Sequence, residues 1–207
     1  MLLPRRGFWR CLDEAEFPRT GAARSCSMTV SCPELEDTVF ETDRLSVRLW
    51  DEADQERAFD IYSRWDVAKW LGSTPRALET PDEAAALVER CRARSADPRY
   101  GVWAVQRRDT GTVVGSVLLL PLPDGDGEVE VGWHLHPDSW GHGFATEAAR
   151  GALAKGFADG LAEIHAVVRP GNEPSVAVCR RLGMTAIGLT DRWYGLEMAS
   201  FRIGRDD

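Results

Sequence analysis

Between a strand-like segment and an apolar helical one lies Trp140-Gly141-His142-Gly143-Phe144-Ala145-Thr146. Two glycines let the backbone bend with its N–H groups turned inward. The helix that follows adds unpaired N–H groups and the positive end of its dipole. Such a turn holds a phosphate without any side-chain charge. Alone, the same spacing also reads as a tight turn and nothing more. It lacks the third glycine and the later acidic residue of a dinucleotide site, and no Gly-Lys-Ser/Thr ending of a triphosphate loop occurs in the chain.

A second cluster follows, Asn172-Glu173-Pro174-Ser175-Val176-Ala177-Val178-Cys179-Arg180-Arg181-Leu182-Gly183, after the strand-like run Glu163–Val168. Asn172 suits a helix N-cap, Pro174 the first turn and Gly183 the stop. Val176, Val178, Cys179 and Leu182 supply the apolar positions. By itself this is an ordinary capped helix. Both clusters in this order are far less expected by chance.

With Thr42-Asp43-Arg44-Leu45, Trp103-Ala104-Val105, Gly111–Ser116 and Glu130–Pro137, these clusters resemble the GNAT superfamily of acyl-coenzyme A-dependent N-acetyltransferases. Within it the chain is most similar to the branch of RimJ/RimL-like ribosomal-protein N-terminal acetyltransferases. The resemblance implies a single α/β domain with a mixed central sheet, splayed after strand four, and helices on both faces. It implies acetyl-CoA as co-substrate, entering the split. His134, Leu135 and His136 would lie beside the pantetheine. Trp140, Gly141, His142, Gly143, Phe144, Ala145 and Thr146 would wrap the pyrophosphate, and Asn172 would hold the arm from the other side. Trp140 stands where many members carry Gln or Arg, so a side-chain contribution to phosphate binding is lost there.

The chemistry asks little of the protein. A neutral amine attacks a thioester carbonyl, backbone N–H groups near Leu135 steady the oxyanion, and a thiolate leaves. Glu130 is the first candidate for a general base and His134 the second, sharing one strand face at even spacing. Each has a competing structural reading, a paired carboxylate for Glu130 and a packing imidazole for His134. The family position seven residues after the asparagine, often a tyrosine acid, is Cys179 here. A thiol can give a proton, but Cys is also a common buried residue, and packing is the favoured reading. Tyr194 is the substitute acid, with a rim or core aromatic as its alternative. The resemblance also implies that Tyr62, Trp65, Trp70 and Trp193 line the acceptor pocket, where a primary amine, on a small molecule or a protein N-terminus, would bind. A non-catalytic acyl-CoA-binding or sensing domain is the competing function.

These residues need elements to position them. The pattern reads β-α-α-β-β-β-α-β-α-β-β. The first strand is near 45–49, with Thr42-Asp43-Arg44-Leu45 looking like the opening strand of the branch the chain resembles. Helices follow near 52–64 and 81–95, and strands near 101–107, 112–120 and 128–135. A helix over 144–159 carries a stripe of Ala145, Ala148, Ala149, Ala152, Leu153 and Phe157. Asp109-Thr110-Gly111 makes a hairpin turn, 121–127 an exposed loop, and Tyr194 falls on a late strand. Residues 1–38 read as a flexible N-terminal extension, or as an upstream start with Met28 the natural one, ahead of a domain over 39–207.

Composition fits one soluble domain, since 207 residues can bury a single core. A net charge of −8 argues against general nucleic-acid binding. No apolar run approaches a membrane span. Five cysteines without a C-x-x-C pair read as reduced thiols in the cytoplasm and no metal site. A homodimer is left open.

Overall fold

The computed structural model describes residues 37–207. The expectations for residues 1–36, including the Met28 start, lie outside the described residues. Eight strands form one sheet in the order β1-β2-β3-β4-β5-β6-β8-β7. They are β1 (Thr38–Glu41), β2 (Leu45–Arg48), β3 (Gly101–Arg107), β4 (Val113–Pro121), β5 (Val129–Leu135), β6 (Glu163–Val168), β7 (Thr185–Thr190) and β8 (Met198–Gly204). Five α-helices accompany them: α1 (Gln55–Tyr62), α2 (Trp65–Ala68), α3 (Pro81–Arg94), α4 (Phe144–Ala158) and α5 (Glu173–Arg181).

Every neighbouring pair is antiparallel except β5 and β6. That parallel pair meets at one register position, Glu130 opposite His165, and parts beyond it. The sheet is therefore split at β5. The alternation of side chains along β5 sorts the two faces. Val129, Val131 and Leu135 join the core under α4 and α5 with Ala148, Ala152, Ile164 and Cys179. On the other face Leu118 and Leu120 of β4 pack with Ile61, Leu87 and Val88 of α1 and α3.

Several elements differ from the sequence reading. An extra strand, β1, precedes the first expected one. Thr42–Arg44 is a turn rather than strand, closed by the Thr42 N–H on the Leu45 carbonyl at 2.9 Å. The expected strand four is consequently β5. The helix expected over 52–64 divides into a 3-10 turn at Glu52–Asp54 and α1, and the short α2 follows. Pro121 ends β4, a place where its missing N–H costs little. In α4 the buried residues are Phe144, Ala148, Ala149, Ala152, Leu153 and Gly156. Ala145 and Phe157 are only partly buried, because the stripe follows 3.6-residue periodicity and turns them off its centre. Tyr194 lies in the turn between β7 and β8, not on a strand.

Gly115 fixes how closely β4 approaches β5. A Cβ placed there would lie 2.1 Å from the His134 carbonyl oxygen and 2.7 Å from the Leu135 Cα. The absence of a side chain lets the two backbones touch beside the split.

Candidate active site

The glycine turn has the geometry its residues suggest. Gly141 and Gly143 take φ of 78° and 81°, the left-handed region that side chains avoid. α4 starts on Gly143, which carries no side chain to cap it. By contrast, α3 is capped by Thr80 and α5 by Asn172, whose Oδ1 accepts from the Ser175 N–H at 3.3 Å. The first intrahelical bond of α4 runs from the Glu147 N–H to the Gly143 carbonyl. The N–H groups of Phe144, Ala145 and Thr146 thus precede any intrahelical partner and form an anion-binding end.

A cleft of about 730 Å³ opens in front of this turn. One wall is Trp133, His134, Leu135, Gly141 and the start of α4, and the other is Asn172, Pro174, Ser175 and Val178. Its inner end continues, past Trp70, His134 and Asn172, into a second cavity lined by Glu130, Arg169, Tyr194 and Met198. The long first chamber and the anion-binding end fit a coenzyme A-sized ligand, since small-molecule sites span about 300–1,000 Å³.

Backbone polarity at the split follows from one bond. The His136 N–H donates to the Val114 carbonyl at 2.9 Å, so the polar groups of His136 point to β4. By alternation those of Leu135 point into the split. The Leu135 carbonyl is taken by the Trp140 indole N–H at 2.9 Å, and its N–H faces the cleft.

Glu130 is 6% exposed, and burial pushes its carboxyl up to about 7 against the pull of a hydrogen bond donated by the Tyr194 hydroxyl. Burial moves His134 the other way, down to about 4, so its imidazole is neutral at pH 7. Its ring meets Tyr62 edge-on at 6.1 Å. Tyr62 is buried, bonded to Ser116 at 2.7 Å, and its hydroxyl is raised far above the usual tyrosine range by that burial.

Other expected residues lie elsewhere. His136 is buried beside Asp60 and Asp138, its Nδ1 accepting from the Asp138 N–H, and its side chain does not line the cleft. His142 is exposed and stacks on Phe144. Trp65 is 58% exposed and faces neither chamber, whereas Trp70 lines both. Trp193 is buried against His165. Cys179 is fully buried in the α4–α5 core, its thiol pushed up to about 12 by burial, and it lines neither chamber. His136, His142 and Trp193 stand outside the regular elements, where strand or helix periodicity does not set a side chain's direction.

Two features were not singled out from sequence. Glu147 in the first turn of α4 accepts from Thr42 Oγ1 at 2.6 Å and from Arg44 Nε at 2.7 Å. Arg44 also donates to the His142 carbonyl at 3.1 Å, fastening the glycine turn from behind. The pairing offsets a carboxylate that would otherwise oppose an anion at the helix start. Its sequence signal was the Thr42-Asp43-Arg44 run itself. Arg169, just past β6, donates to the carbonyls of Gly72 and Ser73, tying the loop after α2 to the far side of the split. Among the described residues no helix is long and apolar enough to cross a membrane, and no His/Cys/Asp/Glu group is placed to hold a metal.

Comparison with known proteins gives the same outline. A family model for the acetyltransferase (GNAT) domain matches residues 44–185. An uncharacterized N-acetyltransferase, YoaA of Bacillus subtilis (strain 168), is 30% identical over 152 residues, 73% of this chain and 85% of YoaA. Among solved structures, a GNAT-family acetyltransferase from Bacillus anthracis superposes with a TM-score of 0.69 at 23% identity, covering 81% of this chain and 98% of that one. Mycobacterium smegmatis RimJ in complex with CoA-disulfide superposes at 0.64 and 21% identity, covering 78% and 82%. The domain match spans the glycine turn, the split at β5 and the Asn172 helix together, and on it the chain belongs to the GNAT family as an acetyl-CoA-dependent N-acetyltransferase.

Proposed function

We propose that the protein moves the acetyl group of acetyl-CoA directly onto a primary amine within a ternary complex, with Glu130 as base and Tyr194 as acid. Acetyl-CoA supplies an acyl group activated as a thioester. The left-handed glycines and the open α4 N-terminus bind the pyrophosphate, with Asn172 on the opposite wall. The Leu135 N–H receives the oxyanion. The amine attacks in its neutral form, its ammonium proton having gone to solvent. Glu130 takes the next proton from the nitrogen as the C–N bond forms and the C–S bond breaks, a task for which a carboxyl near pH 7 is well matched. His134, near 4, is a far weaker base. Tyr194 donates to the departing thiolate and recovers its proton from Glu130 along their hydrogen bond. Cys179 takes no part in this scheme.

The observation that carries the reading is the pairing of a buried Glu130 with a half-buried Tyr194 at the inner end of a cleft whose outer end is built for an anion. A binding-only sensor has no use for a costly buried carboxyl there. A RimJ/RimL-like acceptor, a protein N-terminus, is one form of the proposal, and a small-molecule amine is the other. Acetyl-CoA incubated with panels of N-terminal peptides and small amines, followed by free-thiol release, tests it. Saturable binding of acetyl-CoA with no transfer to any amine would establish the sensor instead.

A further inference from the structure

Arg169 carries a positive charge into the inner cavity without a carboxylate to match it. Its Nη2 donates to the Gly72 and Ser73 carbonyls, but its Nε is buried with no partner. Among the described residues it forms no ion pair, unlike Arg48, Arg57 and Arg192, each bound to an acid. Burial alone acts on it, holding its pKa below the usual arginine range. A guanidinium loses much hydration on burial and is usually repaid by an anion.

Register fixes where this charge sits. Glu130 is opposite His165, so Arg169, four residues on, stands level with His134 across the split. Its side chain shares the face of His165, and thus of Glu130, while Ile164, Ala166 and Val168 fill the core on the other side. Glu130, Tyr194 and Arg169 all line the same cavity. One group takes a proton from an amine, and the other keeps its charge and an unpartnered Nε–H beside the same cavity. Trp70, Leu118 and Met198 supply apolar surface between them.

We infer that the acceptor carries a carboxylate beside its amine, as a free amino acid does, and that Arg169 binds that carboxylate. The inference rests on the transfer proposed above. A charge-assisted hydrogen bond makes the site discriminate against an acceptor that cannot accept it.

The test compares free L-amino acids with their C-terminal amides as acetyl acceptors, by free-thiol release, for the parent and for Arg169→Gln. Binding of N-acetyl-L-phenylalanine and of its amide, in the presence of coenzyme A, is measured alongside by calorimetry. The acids should be favoured in kcat/KM by at least about tenfold. Arg169→Gln should remove that preference, raising KM for the acids while KM for acetyl-CoA stays unchanged. Amides used as well as the acids would overturn the inference, as would a variant that slows both classes equally, since that is what a loop fastener alone does. If no amine of any class is acetylated, the proposed transfer falls. The calorimetric difference then decides this inference: tighter binding of the acid that vanishes in Arg169→Gln supports it, and equal binding of acid and amide rejects it.

Discussion

The hydroxyl of Tyr194 donates to the carboxylate of Glu130, although one residue sits in the turn before β8 and the other on β5, the strand at which the sheet splits. The bond links two parts of the chain 64 positions apart. It opposes the rise that burial gives the carboxyl, leaving it at about 7 rather than higher.

Replacing Glu130 with Gln should lower turnover by about 10²-fold near pH 8 and abolish the rise in kcat/KM through pH 7. Stability should move the opposite way. The folded carboxyl titrates near 7 against an ordinary value of 4.5, so between those pH values the folded protein holds a proton that the unfolded chain has released. Stability therefore falls as pH rises through that window, by on the order of 2–3 kcal/mol. Denaturation at pH 5 and pH 8 should show the parent losing stability and the Gln variant staying level. A variant as active as the parent would assign Glu130 a structural role only.

Tyr194→Phe removes the donor that lowers the Glu130 pKa, so the rising limb of the pH–rate profile should move to higher pH. Above that limb the plateau should remain about 10²-fold low if the phenol protonates the thiolate. A shifted limb with an undiminished plateau would give that proton to water.

Gly143→Val tests the phosphate turn. The nearest atom to an added Cβ is Arg44 Nη2 at 3.5 Å, so the Cβ itself meets no clash. The penalty is conformational, about 1–2 kcal/mol for a side chain at φ of 81°. Relaxing that strain turns the Phe144–Thr146 N–H groups off their target, and affinity for acetyl-CoA should fall at least about tenfold. Unaltered calorimetric affinity in a folded variant would remove the turn from the binding site.

Cys179→Ala should cost about 1–2 kcal/mol of stability through the small void it leaves, with kcat unchanged. Cys179→Tyr should overpack the α4–α5 core and lower the melting temperature. Loss of turnover in a stable alanine variant would restore the thiol as a proton donor.

The glycine turn, the Asn172 cap and the strand carrying Glu130 were legible because each is a local pattern: paired glycines, an N-cap with proline, and period-two alternation. What escaped notice depended on distance in sequence. Nothing local marks Glu147; the fold brings Thr42 and Arg44 to it from over a hundred positions away. Tyr194 and Glu130 were separate candidates that only the β8 return makes a pair. His136 was expected at the pantetheine by its nearness to His134, and it keeps to the same side of the sheet, but it lies one residue past the end of β5, where Asp60 and Asp138 enclose it. The Thr42–Arg44 turn was read as strand because its pairing with Glu147 stabilises a conformation that local propensity does not favour.

The parting of β5 from β6 has a consequence for the protein's behaviour in a crowded solution. Two strand edges with unsatisfied backbone groups are the usual starting point for unwanted strand addition between molecules. Here both edges face inward across a cleft, and the Leu135 carbonyl on one of them is already occupied by the Trp140 indole. A pleated guest strand needs about 4.8 Å of clearance to each edge and room for side chains on both sides. An unbranched chain, with nothing to splay, meets no such demand. The split thus turns a feature that elsewhere promotes self-association into one whose two edges face each other across a cleft.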